Sequence, residues 1–310
     1  MNKAIYARPK KIRNKRRVSI PRRIFLIANG TLLGIFAFIC LVPFINLLAI
    51  SLSSADVVDA GTVGLYPINF TFEAYTYLLQ KKEFFRAFGW SVLRVVTGTV
   101  LSVVVISLAA YPLSKGIGVF KGRKFYIAFF LLIMFFSGGL VPTYILITKM
   151  QLNNTLFALI LPSAMNAWNM VLMVNCFRQI PSALEEAARM DGASDFKIFL
   201  KVYLPLSLPT LATVTLFTAV QHWNSWFDGI IYMSKENMPL QSYIYNMINE
   251  ANLLAHSTNL TQEQLAALQN LPGKTLRSAQ IFIAMLPIML LYPFAQKYFV
   301  KGLTLGSVKE

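Results

Sequence analysis

An apolar stretch runs from Ile24 to Ile50. Wound as a helix at about 1.5 Å per residue it spans about 40 Å, enough to cross a hydrocarbon core of roughly 30 Å with some tilt. The stretch is a membrane anchor. A cleavable signal peptide has an apolar core of about 7 to 15 residues followed by a small-residue cleavage site, and neither condition is met.

Five further stretches read as spans: Ala87 to Leu113, Phe125 to Leu146, Phe157 to Phe177, Leu204 to Trp223 and Ala279 to Phe299. Several contain proline (Pro142, Pro162, Pro209, Pro287 and Pro293), and Pro43 lies in the first. Membrane helices tolerate proline where neighbours satisfy the freed carbonyls, so kinked, irregular spans are expected. Composition agrees: 56% of residues are hydrophobic and 14% charged, against roughly half and a quarter in soluble domains. The reading is an all-α integral membrane protein of six transmembrane helices, residues 24–301. A basic tail (1–23) precedes them and a short tail (302–310) follows.

Counting Lys and Arg loop by loop orients the spans, because cytoplasmic loops hold the excess. Ten of the 29 lie before residue 24, including Lys10, Lys11, Arg13, Lys15, Arg16, Arg17, Arg22 and Arg23. With the N-terminus inside, the inner segments add Lys115, Lys121, Arg123 and Lys124, then Arg178, Arg189, Lys197 and Lys201, then Lys297, Lys301 and Lys309. The outer loops hold Lys81, Lys82, Arg86, Lys149, Lys235, Lys274 and Arg277. Both termini are therefore expected in the cytoplasm of a multi-pass cell-membrane protein. Arg94 remains, seven residues into the second span, where a charge faces a partner or snorkels outward; it reads as a pathway residue or as an outer-end anchor.

The net charge of +16 would suggest nucleic acid in a soluble chain, but its concentration in a tail beside an apolar span fits anionic lipid headgroups instead. Cys40 and Cys176 both lie in apolar stretches, where free cysteine behaves as a small hydrophobe. No disulfide framework or metal-ligand set is expected, and His222 and His256 are too few and too far apart for one.

The most informative segment is the inner loop 178–205, RQIPSALEEAARMDGASDFKIFLKVYLP. Ser182 followed by Glu185 reads as a capping box that opens a helix after Pro181. Asp191-Gly192 reads as a turn with Gly192 left-handed, and Ser194 as the cap of a second helix over Asp195 to Val202.

Glu186-Ala187-Ala188, three residues, Gly192, nine residues, then Val202-Tyr203-Leu204-Pro205 closely resembles the EAA loop of ATP-binding-cassette importer permeases. The family pattern is E-A-A, three residues, G, nine residues, I-x-L-P; only Val202 departs, a like-for-like β-branched change. FSGGLVPTYILI (136–147), the NAWN of Asn166 to Asn169 and the tail GLTLGSVKE (302–310) resemble the carbohydrate branch, the maltose-permease type and its Gram-positive complex-sugar members. The tail departs from many relatives in having Ser307 and in ending at Glu310; in that branch it reaches the ATPase interface.

The resemblance implies a type I importer permease fold, with the loop as a cytoplasmic coupling helix docking on an ATPase subunit. The coupling set it implies is Glu185, Glu186, Ala187, Ala188, Asp191, Gly192, Leu204 and Pro205. The alanines let a partner approach closely, Glu186 offers a carboxylate to a basic residue there, and Gly192 supplies the bend. It further implies a second permease in a heterodimer, two ATPases carrying ATP and Mg, and an extracellular solute-binding lipoprotein.

This chain encodes no nucleotide site of its own: Gly273-Lys274-Thr275 resembles the end of a phosphate loop, but Leu268 stands where that motif needs glycine. No cofactor and no catalytic residues are expected on it. The long outer loop, 224–277, would face the binding protein. Asn166, Trp168, Asn169, Gln221, Trp223 and Asn224 combine amide groups with indole faces near span ends, a mixture that suits sugar hydroxyls and C–H faces; the same residues also commonly anchor helices or bond across them. The competing readings are a permease for a non-sugar solute and a secondary transporter. The second leaves the EAA pattern unexplained and lacks the deep ionisable residues that ion coupling uses.

Overall fold

The structure, a computed structural model, describes residues 19–116, 118–255 and 273–307, with side chains described outside 251–255 and 294–307. The basic tail before Ser19, the polar stretch 257–264 of the outer loop, His256 and the last residues of the C-terminal tail lie outside these. Every regular element among the described residues is helical, and a lone antiparallel bridge joins Ser53 to Phe70.

Helix α1 (Ile20–Ser51) leads, followed by two short helices, α2 (Ala55–Asp59) and α3 (Glu73–Gln80), then α4 (Lys82–Ser114). After α5 (Arg123–Phe135), α6 (Leu140–Lys149), α7 (Leu156–Ile160) and α8 (Ala167–Arg178) comes the EAA loop: α9 (Ser182–Met190), α10 (Asp195–Ile198), a π-helical turn (Phe199–Tyr203) and α11 (Leu204–Leu206). The chain ends with α12 (Leu208–Asn224), α13 (Phe227–Tyr232), α14 (Leu240–Ala255) and α15 (Lys274–Ser307).

Three of these are unbroken and apolar enough to cross a membrane: α1, α4 and α15 over Lys274–Pro293. Two of the other expected spans are bent pairs. The third breaks at Phe136–Gly139, where α5 and α6 meet at 113°, and the fifth breaks at Ser207, where the α10–α11 segment meets α12 at 83°. Counting each bent pair as one crossing gives five. The fourth expected span is not a continuous helix: α7 stops at Ile160, the chain turns through Leu161–Met165, and α8 begins at Ala167. Pro162 and Pro209 sit at two of these breaks, since proline withholds an N–H and its ring crowds the preceding turn. Pro205 likewise follows the π turn, whose wider winding takes up the mismatch that the missing N–H creates.

Helix α4 is the centre of the packing and touches α12, α8, α14, α7 and α5. Its buried residues fall at Phe84, Ala87, Ser91, Arg94, Gly98 and Ser102 and continue through Ile106, Ala110 and Leu113, the three-and-four spacing of one helical face. Val92, Val96, Val100 and Val104 lie on the opposite, exposed face, which suits lipid. Small residues on the buried side let neighbouring backbones approach, the usual basis of helix packing where water supplies no driving force. At the N-terminal end of α4 one apolar cluster includes Phe84, Ala87, Trp223, Leu240 and Ala279. At its C-terminal end another includes Ala110, Leu113, Phe177, Ile198, Phe199 and Tyr203.

Close approach is tightest at Gly98. A Cβ there would lie 2.5 Å from Nε2 of His222, whose ring on α12 is 2% exposed. Overpacking of this kind costs roughly 1–3 kcal/mol. Gly98→Val is therefore expected to lower the thermal stability of the detergent-solubilised protein, and His222→Ala in the same chain to recover most of the loss. Equal unfolding temperatures for the parent and Gly98→Val would show that the two helices do not meet this closely.

Candidate functional site

The EAA loop folds as its local signals direct, with one exception. Gly192 is left-handed at φ +74° with open space beyond it, so its requirement is for backbone conformation and not for room. Ser194 caps α10 by accepting from the Lys197 N–H. The second helix runs beyond the expected Val202, through the π turn to Leu206.

The exception is the capping box. Ser182 is the first helical residue of α9, Pro181 stands at the cap, and no side chain closes the end. Glu185 points elsewhere. Its Oε2 accepts from Lys115 Nζ at 2.5 Å and from the Tyr203 hydroxyl at 2.7 Å, while Oε1 accepts from Arg189 at 2.9 Å. Lys115 also donates to the Tyr203 oxygen at 2.9 Å and lies over the rings of Tyr111 and Tyr203, 4.1 and 4.0 Å from their centroids. Arg189 continues the chain of charges to Asp195 on α10. A local cap is worth about 1 kcal/mol, whereas charge-assisted bonds away from water are roughly twice as strong as neutral ones, so the carboxylate turns inward.

Burial alone would raise the pKa of Glu185, but the bonds from Lys115, Tyr203 and Arg189 outweigh it and hold it at about 2, against an unperturbed 4.5. Burial pulls Lys115 down from its ordinary value, and Glu185 opposes that. Glu185 is ionised at neutral pH.

The remaining coupling-set residues divide by face. Ala188 packs onto the apolar cluster at the C-terminal end of α4, as does Leu204. Glu186, Ala187, Asp191, Gly192 and Pro205 are exposed, and beside them Met190 is 88% exposed. An apolar side chain so uncovered next to an unpaired carboxylate and an alanine forms a small surface with no partner among the described residues.

The six polar candidates near span ends do not form one wall. Asn166 caps α8 through the Asn169 N–H and donates to Gln221 at 3.4 Å. Asn169 is buried and donates to Thr218. Trp168 is 58% exposed, and Gln221 and Asn224 are exposed. Trp223 is a correction: it is buried, its indole N–H donates to the Ala284 carbonyl at 3.0 Å, and its ring meets Phe88 edge-on. Its indole face is committed to packing.

Of the two possibilities for Arg94, facing a partner or snorkelling outward, the side chain takes the first. It is 1% exposed and grips both carboxylate oxygens of Asp228, while also donating to the Ser225 and Leu159 carbonyls at 3.2 and 3.4 Å. Asp228 in turn accepts from the Ser225 hydroxyl and the Gly229 N–H, both at 2.9 Å. Sequence reading missed Asp228, Lys115 and Tyr203. The signal available for the first was Arg94 itself, since a charge inside a span requires a counter-charge somewhere.

A family model described as the binding-protein-dependent transport system inner membrane component matches residues 14–305. The chain belongs to that family. Among its relatives is the polygalacturonan/rhamnogalacturonan transport system permease YtcP of Bacillus subtilis strain 168, 36% identical over 93% of this chain and 99% of the relative. The LplC protein of the same organism is 35% identical over 93% and 95%. A crystal structure of a bacterial ABC transporter that imports the acidic polysaccharide alginate contains a chain matching at a TM-score of 0.79, 36% identical, over 91% of this chain and 98% of that one. The protein is thus an ABC permease of the type I fold, a membrane-embedded transport component and not an enzyme.

A carboxyl whose native pKa lies below its unfolded value contributes stability that is complete above the unfolded value and lost as pH falls through the native one. For Glu185 that window runs from 4.5 down to about 2. Carboxyl ¹³C resonances of the purified permease should show one glutamate titrating near 2 that vanishes in Glu185→Gln. A midpoint near 4.5 for Glu185 would mean that its pairing with Lys115 does not form.

Proposed function

We propose that this permease forms half of the translocation pathway of an importer that takes a carbohydrate from an extracellular binding protein, with ATP entering the cycle at the EAA loop. The observation that carries the reading is the Gly192-bent helix pair, which presents Glu186, Ala187 and Met190 outward while Glu185 and Ala188 hold the pair to the body of the protein. A surface of small and apolar residues with one free carboxylate suits a groove on an ATPase that offers a cation. ATP and Mg reside on two such ATPase subunits.

The inner-loop excess of Lys and Arg supports six crossings with both termini cytoplasmic, the segment 157–177 serving as one irregular crossing. A second permease is supported by what this chain leaves uncovered. Helix α5 has no buried residue, and the broken backbone at Phe136–Gly139 is exposed. Non-helical backbone at membrane depth persists only when covered by protein or lining a water-filled cavity, so another subunit belongs there. The carbohydrate class is supported by the polygalacturonan/rhamnogalacturonan and alginate systems to which the chain is similar. Asn166, Trp168, Gln221 and Asn224, whose polar groups or ring remain accessible, are the residues proposed to meet the sugar.

In proteoliposomes holding the complete transporter, Glu186→Lys and Gly192→Val should leave assembly intact while sugar uptake falls and ATP hydrolysis no longer responds to the loaded binding protein. For Gly192→Val the cause is the left-handed backbone, which costs an L-residue roughly 1–2 kcal/mol. Wild-type uptake in both variants would rule out the loop as the entry point for ATP. A panel of acidic and uncharged oligosaccharides offered to the wild-type complex tests the substrate class; uptake of none of them, with an amino acid or peptide taken up instead, would replace it.

A further inference from the structure

The two buried charged clusters described above lie along one helix, one just past its C-terminal end and one within its N-terminal half. Lys115 directly follows the last residue of α4, and Arg94 lies 21 residues earlier on the same helix, a separation of roughly 30 Å at 1.5 Å per residue. Both cations are almost fully buried, at 9% and 1% exposure. Each is held by a carboxylate from a distant part of the chain: Glu185 on α9 and Asp228 on α13.

Among the described helices near the EAA loop, α4 is unbroken from Lys82 to Ser114 and carries a buried cation in an ion pair both just past its C-terminal end and within its N-terminal half. Helix α12 follows the loop in sequence, but the 83° bend at Ser207 separates its axis from the loop. Helix α8 precedes the loop and ends at Arg178, with Gln179–Pro181 intervening before α9. Helix α4 runs without a break from Lys82, and its one proline, Pro112, falls in the last turn. A displacement of α9 thus has an unbroken helix to act on, and the contact between them is the triangle of Lys115, Glu185 and Tyr203, whose three edges measure 2.5, 2.7 and 2.9 Å.

The adjacent carboxylates Glu185 and Glu186 fit such a division. Successive residues on an α-helix point about 100° apart, so one of the pair faces the body of the permease while the other stays free. At the far end the Arg94 guanidinium gathers the C-terminal part of α7 (Leu159 carbonyl), the α12–α13 turn (Ser225 carbonyl) and α13 (Asp228).

We propose that α4 is the member that carries the EAA loop's displacement across the membrane, with Lys115, Glu185 and Tyr203 as positioning residues that fasten its inner end and Arg94 and Asp228 as those that fasten its outer end to α7 and α13. This rests on the reading of the loop as the ATPase contact. It adds that the loop acts on the pathway through a side-chain clamp to a helix remote in sequence, and not through its own covalent continuation into α12.

The test uses the complete transporter in proteoliposomes, with uptake and ATP hydrolysis measured on the same preparation and assembled complex quantified. Lys115→Met should assemble and hydrolyse ATP but move about tenfold less sugar per ATP, a loss within the range typical of coupling between sites. Exchanging the charges in Lys115→Glu with Glu185→Lys should restore much of that ratio. Asp228→Asn should lower it in the same sense from the other end. Where Lys115→Met does not assemble, Tyr203→Phe removes one hydroxyl from the triangle and should give a smaller loss in the same direction. A second readout follows α4 directly: a cysteine at exposed Phe85, in a chain without Cys40 and Cys176, should change its reactivity toward a water-soluble maleimide when ATP is added, and lose that change with Lys115→Met or Tyr203→Phe. An unchanged ratio of sugar to ATP in the assembled variants, or a Phe85 response that survives them, overturns the proposal. Failure of the underlying reading shows separately, as a wild-type complex whose ATP hydrolysis is not linked to uptake at all.

Discussion

A guanidinium at the position of Arg94 has no water to return to. Removing an ion of this size from water costs several kcal/mol even after relaxation, so the chain is constrained to bring a carboxylate and carbonyls to that point. Asp228, Ser225 and Leu159 supply them. Satisfying one buried cation therefore fixes where α7 and α13 sit against α4, although nothing in the lengths of the intervening loops would do so. The same constraint acts at Lys115, where burial lowers the pKa of the ammonium and the bond to Glu185 opposes that shift. Between these points α4 buries Gly98, Ser102 and Ala110, small residues that bring α12 and α8 close but specify register only weakly. The ion pairs at Arg94 and Lys115 specify it more strongly, because a shift of one residue would rotate either cation about 100° away from its partner.

What could be read from the sequence was whatever depends on a local window. The long apolar stretches became α1, α4 and α15, and Asp191-Gly192 and Ser194 became the turn and cap expected of them. Hydropathy averages over about twenty residues, however, and a window that contains Phe136–Gly139 or Pro162 is as apolar as one that does not. The prolines led to the expectation of kinked, irregular spans, but hydropathy gave no sign of where the chain would break, and one expected span, Phe157 to Phe177, resolved into two short helices. The partners of Arg94 and Glu185 were illegible for a different reason. Asp228 lies 134 residues from Arg94, and Lys115 lies 70 before Glu185, separations at which one sequence carries no pairing signal. Trp223 failed in a third way, since an indole near a span end reads the same whether it faces a pathway or closes a core.

The EAA loop shows how a local rule and a tertiary one compete for the same side chain. Ser182 and Glu185 have the spacing of a capping box, and in an isolated peptide that would settle the orientation of Glu185. In the folded chain the helix start at Pro181 is exposed, so water can satisfy its free N–H groups, whereas Lys115, at 9% exposure, has little access to water. The carboxylate therefore goes where its absence would cost most. The motif residue Glu186, one position on, is left facing outward with no competing partner among the described residues. The family pattern marks that outward residue, and its neighbour, which the pattern passes over, makes the contact that ties the motif to the rest of the permease. A motif defined by what a partner sees is silent about what holds the motif in place, and that second half has to come from packing.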